Sequence, residues 1–371
     1  MRIDQARLFQ VFPPPFAKEV YDATLGPFSE FPVGLLELRT ADGAVGWGLV
    51  PAGRITVELL ETKYLPALFA SGVEPESFWR ESLRQTRNLG PGLTYQTLFG
   101  IDMALWDLAA KREQTSLTKL LGGTRMVIDC YGSNGWTNFD LRELARSMVQ
   151  LAERGFRTLK MKVGVKGGTA IAEDVERVKA VRKAIGPDIR LAVDANQVWD
   201  AAQALEFARG VEAQEILWFE EPIAAAAFPR IAQLAIESPV PLAGGESMWS
   251  CESFEAVVDS YRYLQPVAHT LGGISGYITV ARLAAERSIP IASGGYSQLT
   301  CSLVAAAETG LTTEYLVPFM DRFAEIWAEC PRIQNGQFVI PDVAGHGLTP
   351  DPGYVEKYSS SQHVFKNNGR N

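Results

Sequence analysis

Histidine and cysteine are scarce in this 371-residue chain, with three of the first and four of the second. Cys130, Cys251, Cys301 and Cys330 are scattered without metal-ligand spacing. That excludes a cysteine-held zinc centre and a disulfide scaffold, and leaves buried free thiols in a reducing compartment. No apolar run is long enough to span a bilayer, so a membrane is not an expected partner. Met1-Arg2-Ile3-Asp4 lacks the apolar core of a signal peptide, and a soluble cytoplasmic protein is expected. Cations are outnumbered, 35 Lys and Arg against 43 Asp and Glu, for a net charge of −8 and a pI of about 5.2. With no basic stripe, nucleic acid is not an expected partner. A small anionic substrate stays open, because a local site can differ in charge from the whole.

What is present is a large apolar fraction, 47%, beside 21% charged residues, enough for two domains or one large barrel with additions. Residues 1–124 read as an α+β domain. Segments 34–40 and 44–48 form a β-hairpin about Ala41-Asp42-Gly43. Helical patterns follow over 56–69 and 95–111, the second carrying Leu98, Ile101, Leu105 and Leu108, and Gly122-Gly123 closes the segment. Residues 12–31 show no period; a loop of that length in a compact domain is often a lid.

Over 125–340 the pattern changes to strands alternating with helices. Strands are expected at 127–131, 158–163, 190–194, 216–220, 241–245, 261–266, 289–293 and 312–315. Asp140 caps the helix of Leu141, Leu144, Met148 and Leu151, which Gly155 ends; further helices run over 170–184 and from about 201. Eight strands with intervening helices mark an α/β fold with a parallel (β/α) barrel, whose active residues sit at the strand carboxyl ends. A doubly wound sheet would show a glycine-rich phosphate loop after its first strand, and none is present. Residues 341–371 are expected to pack back on the first domain. From about Ser359, through Lys366-Asn367-Asn368-Gly369, they end in a frayed polar tail.

Two features of the barrel carry chemistry. In Thr158-Leu159-Lys160-Met161-Lys162-Val163, alternation puts Lys160 and Lys162 on one strand face. Two crowded ammonium groups disfavour each other's charge, which predicts a lysine pKa drawn down from ~10.4 towards the ~7–8 of a general base. The bland alternative is an edge strand with solvated lysines. The second feature decides between them. Asp194, Glu220 and Glu246 end three successive strands at equal intervals of 26 residues, one βα unit each. Three converging carboxylates are tolerable only around a cation. All-oxygen ligands argue for Mg²⁺, with Mn²⁺ possible, and the lack of nearby histidine and cysteine argues against zinc. Asn196 shares the face of Asp194 and reaches either the metal shell or the substrate, or else caps a helix. Glu221 points the other way, towards an ion pair or a supporting role. Lys162 then faces the cation, a base opposite a Lewis acid, which suits removal of a proton next to a carboxylate.

These residues resemble a known family. Lys160-Met161-Lys162, Val193-Asp194-Ala195-Asn196-Gln197, Phe219-Glu220-Glu221-Pro222, Gly244-Gly245-Glu246-Ser247 and Gly272-Gly273-Ile274-Ser275 match the enolase superfamily, in its mandelate racemase / muconate lactonising branch. So do residues 100–108 and Leu120-Leu121-Gly122-Gly123 in the first domain. The resemblance implies a (β/α)₇β barrel under an N-terminal capping domain, with one Mg²⁺ held by Asp194, Glu220 and Glu246. It implies Lys162 as base and Lys160 as its tuner. Glu314 on the eighth strand falls where the family often places an acid near the substrate carboxylate. Loops 12–31 and 49–54 would set specificity, and a homo-oligomer is implied.

Two positions depart from the pattern. Val267 stands where racemase-like members carry an Asp and muconate-type members a Lys, and Gly294 replaces a histidine. No histidine lies between His269 and His346, so the usual second base is missing. A one-base reaction remains: Lys162 takes the α-proton and returns it to a leaving β-hydroxyl, a syn dehydration of a hydroxy (sugar) acid to a 2-keto acid. The alternatives are a cycloisomerase or a racemase/epimerase acting on a carboxylate, and a barrel that binds a metal and a carboxylate without turnover. Tyr296, Ser293 and His269 are candidate replacement acids, and His269 and Tyr296 are also candidate substrate contacts.

Overall fold

The computed structural model describes residues 1–70 and 74–367. Side-chain alternation builds the N-terminal sheet. β1 (Ile3–Val11), β2 (Val33–Thr40) and β3 (Val45–Val50) pair antiparallel, and turn Ala6, Leu8, Leu36 and Leu38 onto one apolar layer. The helices that cover this layer are α1 (Arg54–Leu59), α2 (Leu65–Ala70), α3 (Pro75–Thr86) and α4 (Leu93–Arg112). The single helix expected over 56–69 is interrupted by a π-turn, Leu60–Tyr64. Pro66 follows two residues after it, at the second position of α2, and lacks the N–H that would continue the regular ladder. The long α4 lies against β3 at backbone distance: a Cβ on Gly48 would meet the Gly100 carbonyl oxygen. Only glycine permits that approach.

After α5 (Leu117–Leu120) the chain enters the barrel. Its strands are β4 (Val127–Asn134), β5 (Thr158–Lys162), β6 (Arg190–Asp194), β7 (Ile216–Glu220), β8 (Leu242–Gly244), β9 (Tyr263–Leu264), β10 (Ile291–Ser293) and β11 (Gly310–Leu316). All pair in parallel in that order, and β11 closes on β4. The seven intervening helices are α6 (Leu141–Glu153), α7 (Ile171–Ile185), α8 (Ala201–Gly210), α9 (Phe228–Glu237), α10 (Cys251–Glu255), α11 (Ile274–Glu286) and α12 (Ser297–Ala306). The architecture is a (β/α)₇β barrel. Tyr131, Ala192, Trp218, Ala243 and Ala292 plug its interior below the mouth, while the larger core lies between strands and helices. No helix among the described residues is long and apolar enough to cross a membrane.

One expectation is overturned at the C-terminal end. Residues Ser359–Lys366 are not a frayed tail but a strand, paired antiparallel with β1 from Gln5↔Lys366 to Val11↔Ser359. Backbone hydrogen bonds to an open sheet edge order this segment, although its side chains are mostly polar and exposed. Asn368 and Gly369 lie outside the described residues. The loop of residues 12–31 is also held: Thr137 Oγ1 donates to the Tyr21 carbonyl at 2.9 Å, Asn138 Nδ2 to Glu19 O at 3.0 Å, and Lys18 pairs with Glu143 at 2.6 Å.

Candidate metal centre and base

Strand register sets the site. β5 is hydrogen-bonded on both sides, to β4 and β6, so it is no edge strand. Lys160 is 1% exposed and Lys162 5%, which disposes of the solvated reading. Lys162 pairs across with Asp194, and Asp194 with Glu220, so this lysine and the two acids share one level of the barrel. Glu246 lies two residues past β8. Asp194, Glu220 and Glu246 each offer a carboxylate oxygen within 4.8 Å of the others.

The lysines bind these acids directly. Lys162 Nζ donates to Asp194 Oδ2 at 2.5 Å. Lys160 Nζ donates to Glu220 Oε1 and lies 3.2 Å from Asp194 Oδ2 and 2.9 Å from Glu314 Oε1. This corrects the expected charge state. Burial and the neighbouring Lys160 both act to lower the Lys162 ammonium. Asp194, with Glu246 and Glu314 behind it, outweighs them and holds Lys162 above the ordinary lysine range. Lys160 is raised further: burial opposes its charge, but Glu220, Glu314 and Asp194 prevail. Close carboxylates beat lysine–lysine repulsion because they are nearer and more numerous.

The acids record the strain of the same crowd. Burial, then Asp194, pushes Glu220 well up. Burial, then Glu221 and Asp194, pushes Glu246 up to about 8. Asp194 resists burial because Lys162 and Lys160 hold it below the usual carboxylate range. Two buried carboxylates and a half-buried third that repel one another are a donor set suited to a hard dication such as Mg²⁺. Asn196 adds to the fit. Its backbone N–H donates to Asp194 Oδ1 at 3.0 Å, its Nδ2 lies 3.5 Å from Glu246 Oε1, and its Oδ1 is buried with no partner. It caps no helix, since Asp200 is the N-cap of α8. Glu221 forms no ion pair; it accepts from the Ser247 N–H at 3.1 Å and hydroxyl at 2.8 Å. It thereby fixes the loop that carries Glu246.

Across the mouth the residues differ. Gly294 faces Glu314: a Cβ there would stand 2.8 Å from Glu314 Oε2. Val267 is buried against Gly295. Ser293 is fully buried and its hydroxyl donates to the Pro266 carbonyl, which removes it from the candidate acids. His269 and Tyr296 pack on each other, ring centroids 5.4 Å apart, and both rest on Phe99. Burial lowers His269 to about 4, so it is neutral at neutral pH, and its Nδ1 has no partner. Burial pushes the Tyr296 phenol up to about 12.

Three further residues border the cluster. Gln265 Nε2 donates to Glu220 Oε2 at 2.5 Å, and Trp218 Nε1 donates to the same oxygen at 3.1 Å. Ser133, in register with Lys160, has a buried hydroxyl without a partner. Alternation from the interior Tyr131 would have found Ser133; nothing local marks Gln265.

Fold and site together define a capped (β/α)₇β barrel with an acidic, metal-type triad faced by two lysines at its mouth. The chain belongs to the enolase superfamily, in the mandelate racemase / muconate lactonising enzyme family. Residues 10–122 match the N-terminal domain of that family, and residues 140–354 match the enolase C-terminal domain-like family. The arabinonate dehydratase of Saccharolobus solfataricus is 32% identical over 87% of this chain and 89% of its own. The L-talarate/galactarate dehydratase of Salmonella typhimurium is 31% identical over 94% of this chain and 89% of its own. A solved structure of that second protein, with Mg and L-lyxarohydroxamate, superposes with a TM-score of 0.88 at 29% identity, covering 98% of this chain and 94% of that one. Other relatives are named cycloisomerases and epimerases.

Proposed function

We propose that the chain is a Mg²⁺-dependent lyase that dehydrates a hydroxy (sugar) acid to a 2-keto acid, with Lys162 as its single acid–base group. The carrying observation is asymmetry. A buried lysine stands in register with the acidic triad, whereas the usual second-base positions hold Gly294 and Val267. Asp194, Glu220 and Glu246 would hold the cation, with Asn196 beside them. Bound Mg²⁺ supplies positive charge that offsets the three carboxylates and polarises the substrate carboxylate.

The chain's own residues do the rest. Lys160, locked by three acids, is a fixed charge that keeps Lys162 from being the only cation beside Asp194. Asp194 is what holds Lys162 above the ordinary lysine range; with that charge taken up by the cation, Lys162 would reach its free-amine form and take the proton from the carbon next to the substrate carboxylate. The bond from the adjacent carbon to its hydroxyl breaks, and the Lys162 ammonium returns the proton to that oxygen, which leaves as water on the same face. The resulting enol tautomerises to the 2-keto acid. Glu314, held by Lys160, and the free Ser133 hydroxyl sit where the carboxylate end of a substrate can be oriented. His269 and Tyr296 contact its distal part. The dehydratase relatives support this reading. A cycloisomerase is the second reading, since one base serves it as well and relatives carry that name. Homo-oligomeric assembly, on the strength of the family resemblance, and a cytoplasmic location, on that of the four free cysteines, complete the proposal.

The test is proton exchange in D₂O with Mg²⁺ across a panel of hydroxy acids, followed by NMR and a keto-acid assay. Keto acid should form with the wild type, and Lys162→Ala should lower exchange by about 10²–10⁴-fold. Exchange without elimination would assign the isomerase. Exchange that survives Lys162→Ala would move the base elsewhere.

A further inference from the structure

We infer that the substrate carries a single carboxylate and an uncharged, apolar distal end, methyl-terminated or ring-closed, because the wall that rises from Lys162 is aromatic and its segments offer no free cation. This rests on the reading of the site as one for a carboxylate substrate, and narrows the class of acid that fits.

The wall begins at the base itself. The Trp136 ring centroid lies 5.8 Å from Lys162 Nζ, within cation–π range. The Trp136 indole N–H already donates to the Val317 carbonyl at 2.9 Å, so its polar edge is spent, and the buried ring backs the wall from behind. Phe319 follows at 5.9 Å from Trp136, with Phe28 touching both. Phe31 sits 5.6 Å from Phe319 and 6.2 Å from Tyr296, and Tyr296 stacks on Phe99 at 5.8 Å. Phe28, Phe31, Tyr296 and Phe319 are only half-buried, unlike Trp136 and Phe99 behind them.

Charge on these segments is already spent. Residues 12–33, 134–139, 294–299 and 317–326 contain two cations, Lys18 and Arg322. Lys18 is bonded to Glu143 at 2.6 Å, and Arg322 to Glu325 at 2.7 Å and to the Pro15 carbonyl at 3.2 Å, which leaves only its buried Nε without a partner. A second substrate carboxylate against this wall would lose its water and gain no partner. A methyl group or a ring face would gain from leaving water and from contact with the rings. The remaining cation on a specificity loop is Arg54, exposed at the start of α1.

Binding separates this inference from the reaction. Lys162→Ala protein in saturating Mg²⁺ is titrated by calorimetry with a terminally deoxygenated hexonate and with the hexarate of the same configuration. The deoxy acid should bind at least about 10-fold tighter, the effect of leaving one carboxylate unpaired. Hexarate binding that is equal or tighter overturns the inference. So does hexarate binding that disappears in Lys162→Ala/Arg54→Gln, which would seat the distal carboxylate on Arg54. Failure of both acids to bind overturns it as well. The proposed reaction stands or falls separately, on proton exchange by the wild type.

Discussion

Lys160 and Lys162 are two residues apart on one strand face, yet their surroundings give them different work. Lys160 is bound by Glu220, Asp194 and Glu314, and no single change frees it. Lys162 has one acid partner, Asp194, and lies nearer the mouth beside Trp136. Their common orientation was legible from alternation, and the triad from its spacing. Their charge was not, because it is a sum of burial and neighbours from four strands that no local pattern contains. The same crowding predicts a metal effect on stability. Removing Mg²⁺ leaves three converging carboxylates opposed, two of them buried, so chelator-treated protein should melt below the Mg²⁺-loaded form. The gap should be worth about 2.7 kcal/mol at a free metal concentration about 100-fold above Kd. Glu246→Gln should erase most of that gain in a thermal-shift assay. A melting temperature indifferent to Mg²⁺ would refute the assignment of these acids as ligands.

Among the elements, α4 joins the cap to the barrel. Its Asp102 accepts from the Ser275 N–H at 3.0 Å and hydroxyl at 2.7 Å, and so caps α11 from another domain. Its Asp107 accepts from the Trp47 N–H at 3.0 Å, from Lys111 at 2.6 Å and from the His346 N–H at 3.0 Å. The motif over 100–108 was visible in the sequence, but these partners lie far away along the chain, and only the fold names them. β1 escaped notice because Gln10 falls on the buried face of Ala6 and Leu8 while Phe9 falls on the other, which breaks the apolar alternation. The hairpin Arg332–Gln334 and Gln337–Val339 did carry a signal, Asn335-Gly336, with both residues at positive φ. Asp102 gives a pH prediction. Burial raises it to about 7 against an unfolded value near ~3.9. Between those values the folded form binds more protons than the unfolded, so stability falls as pH rises through that window. From about pH 5 to about pH 8 the wild type should lose about 2–3 kcal/mol more than Asp102→Asn, measured by urea unfolding. Parallel pH profiles for the two proteins would show that Asp102 is ionised throughout.

For the whole molecule, the alternation of strands and helices fixed the barrel in advance, and the boundary of the cap was harder. Its sheet is completed by Ser359–Lys366, a polar segment whose placement depends on backbone pairing with β1 rather than on side-chain burial. Deleting residues from 359 onward should uncover the β1 edge, lower the melting temperature and raise aggregation by light scattering. An unaltered melting temperature would make the strand dispensable. The pairing of Gln5 with Lys366 also bears on modularity. A cap that borrows a strand from beyond the barrel is not a contiguous cassette. Grafting residues 1–124 alone onto another barrel carries loops 12–31 and 49–54 but leaves one strand of their sheet behind, so moving this cap whole requires two segments of the gene rather than one.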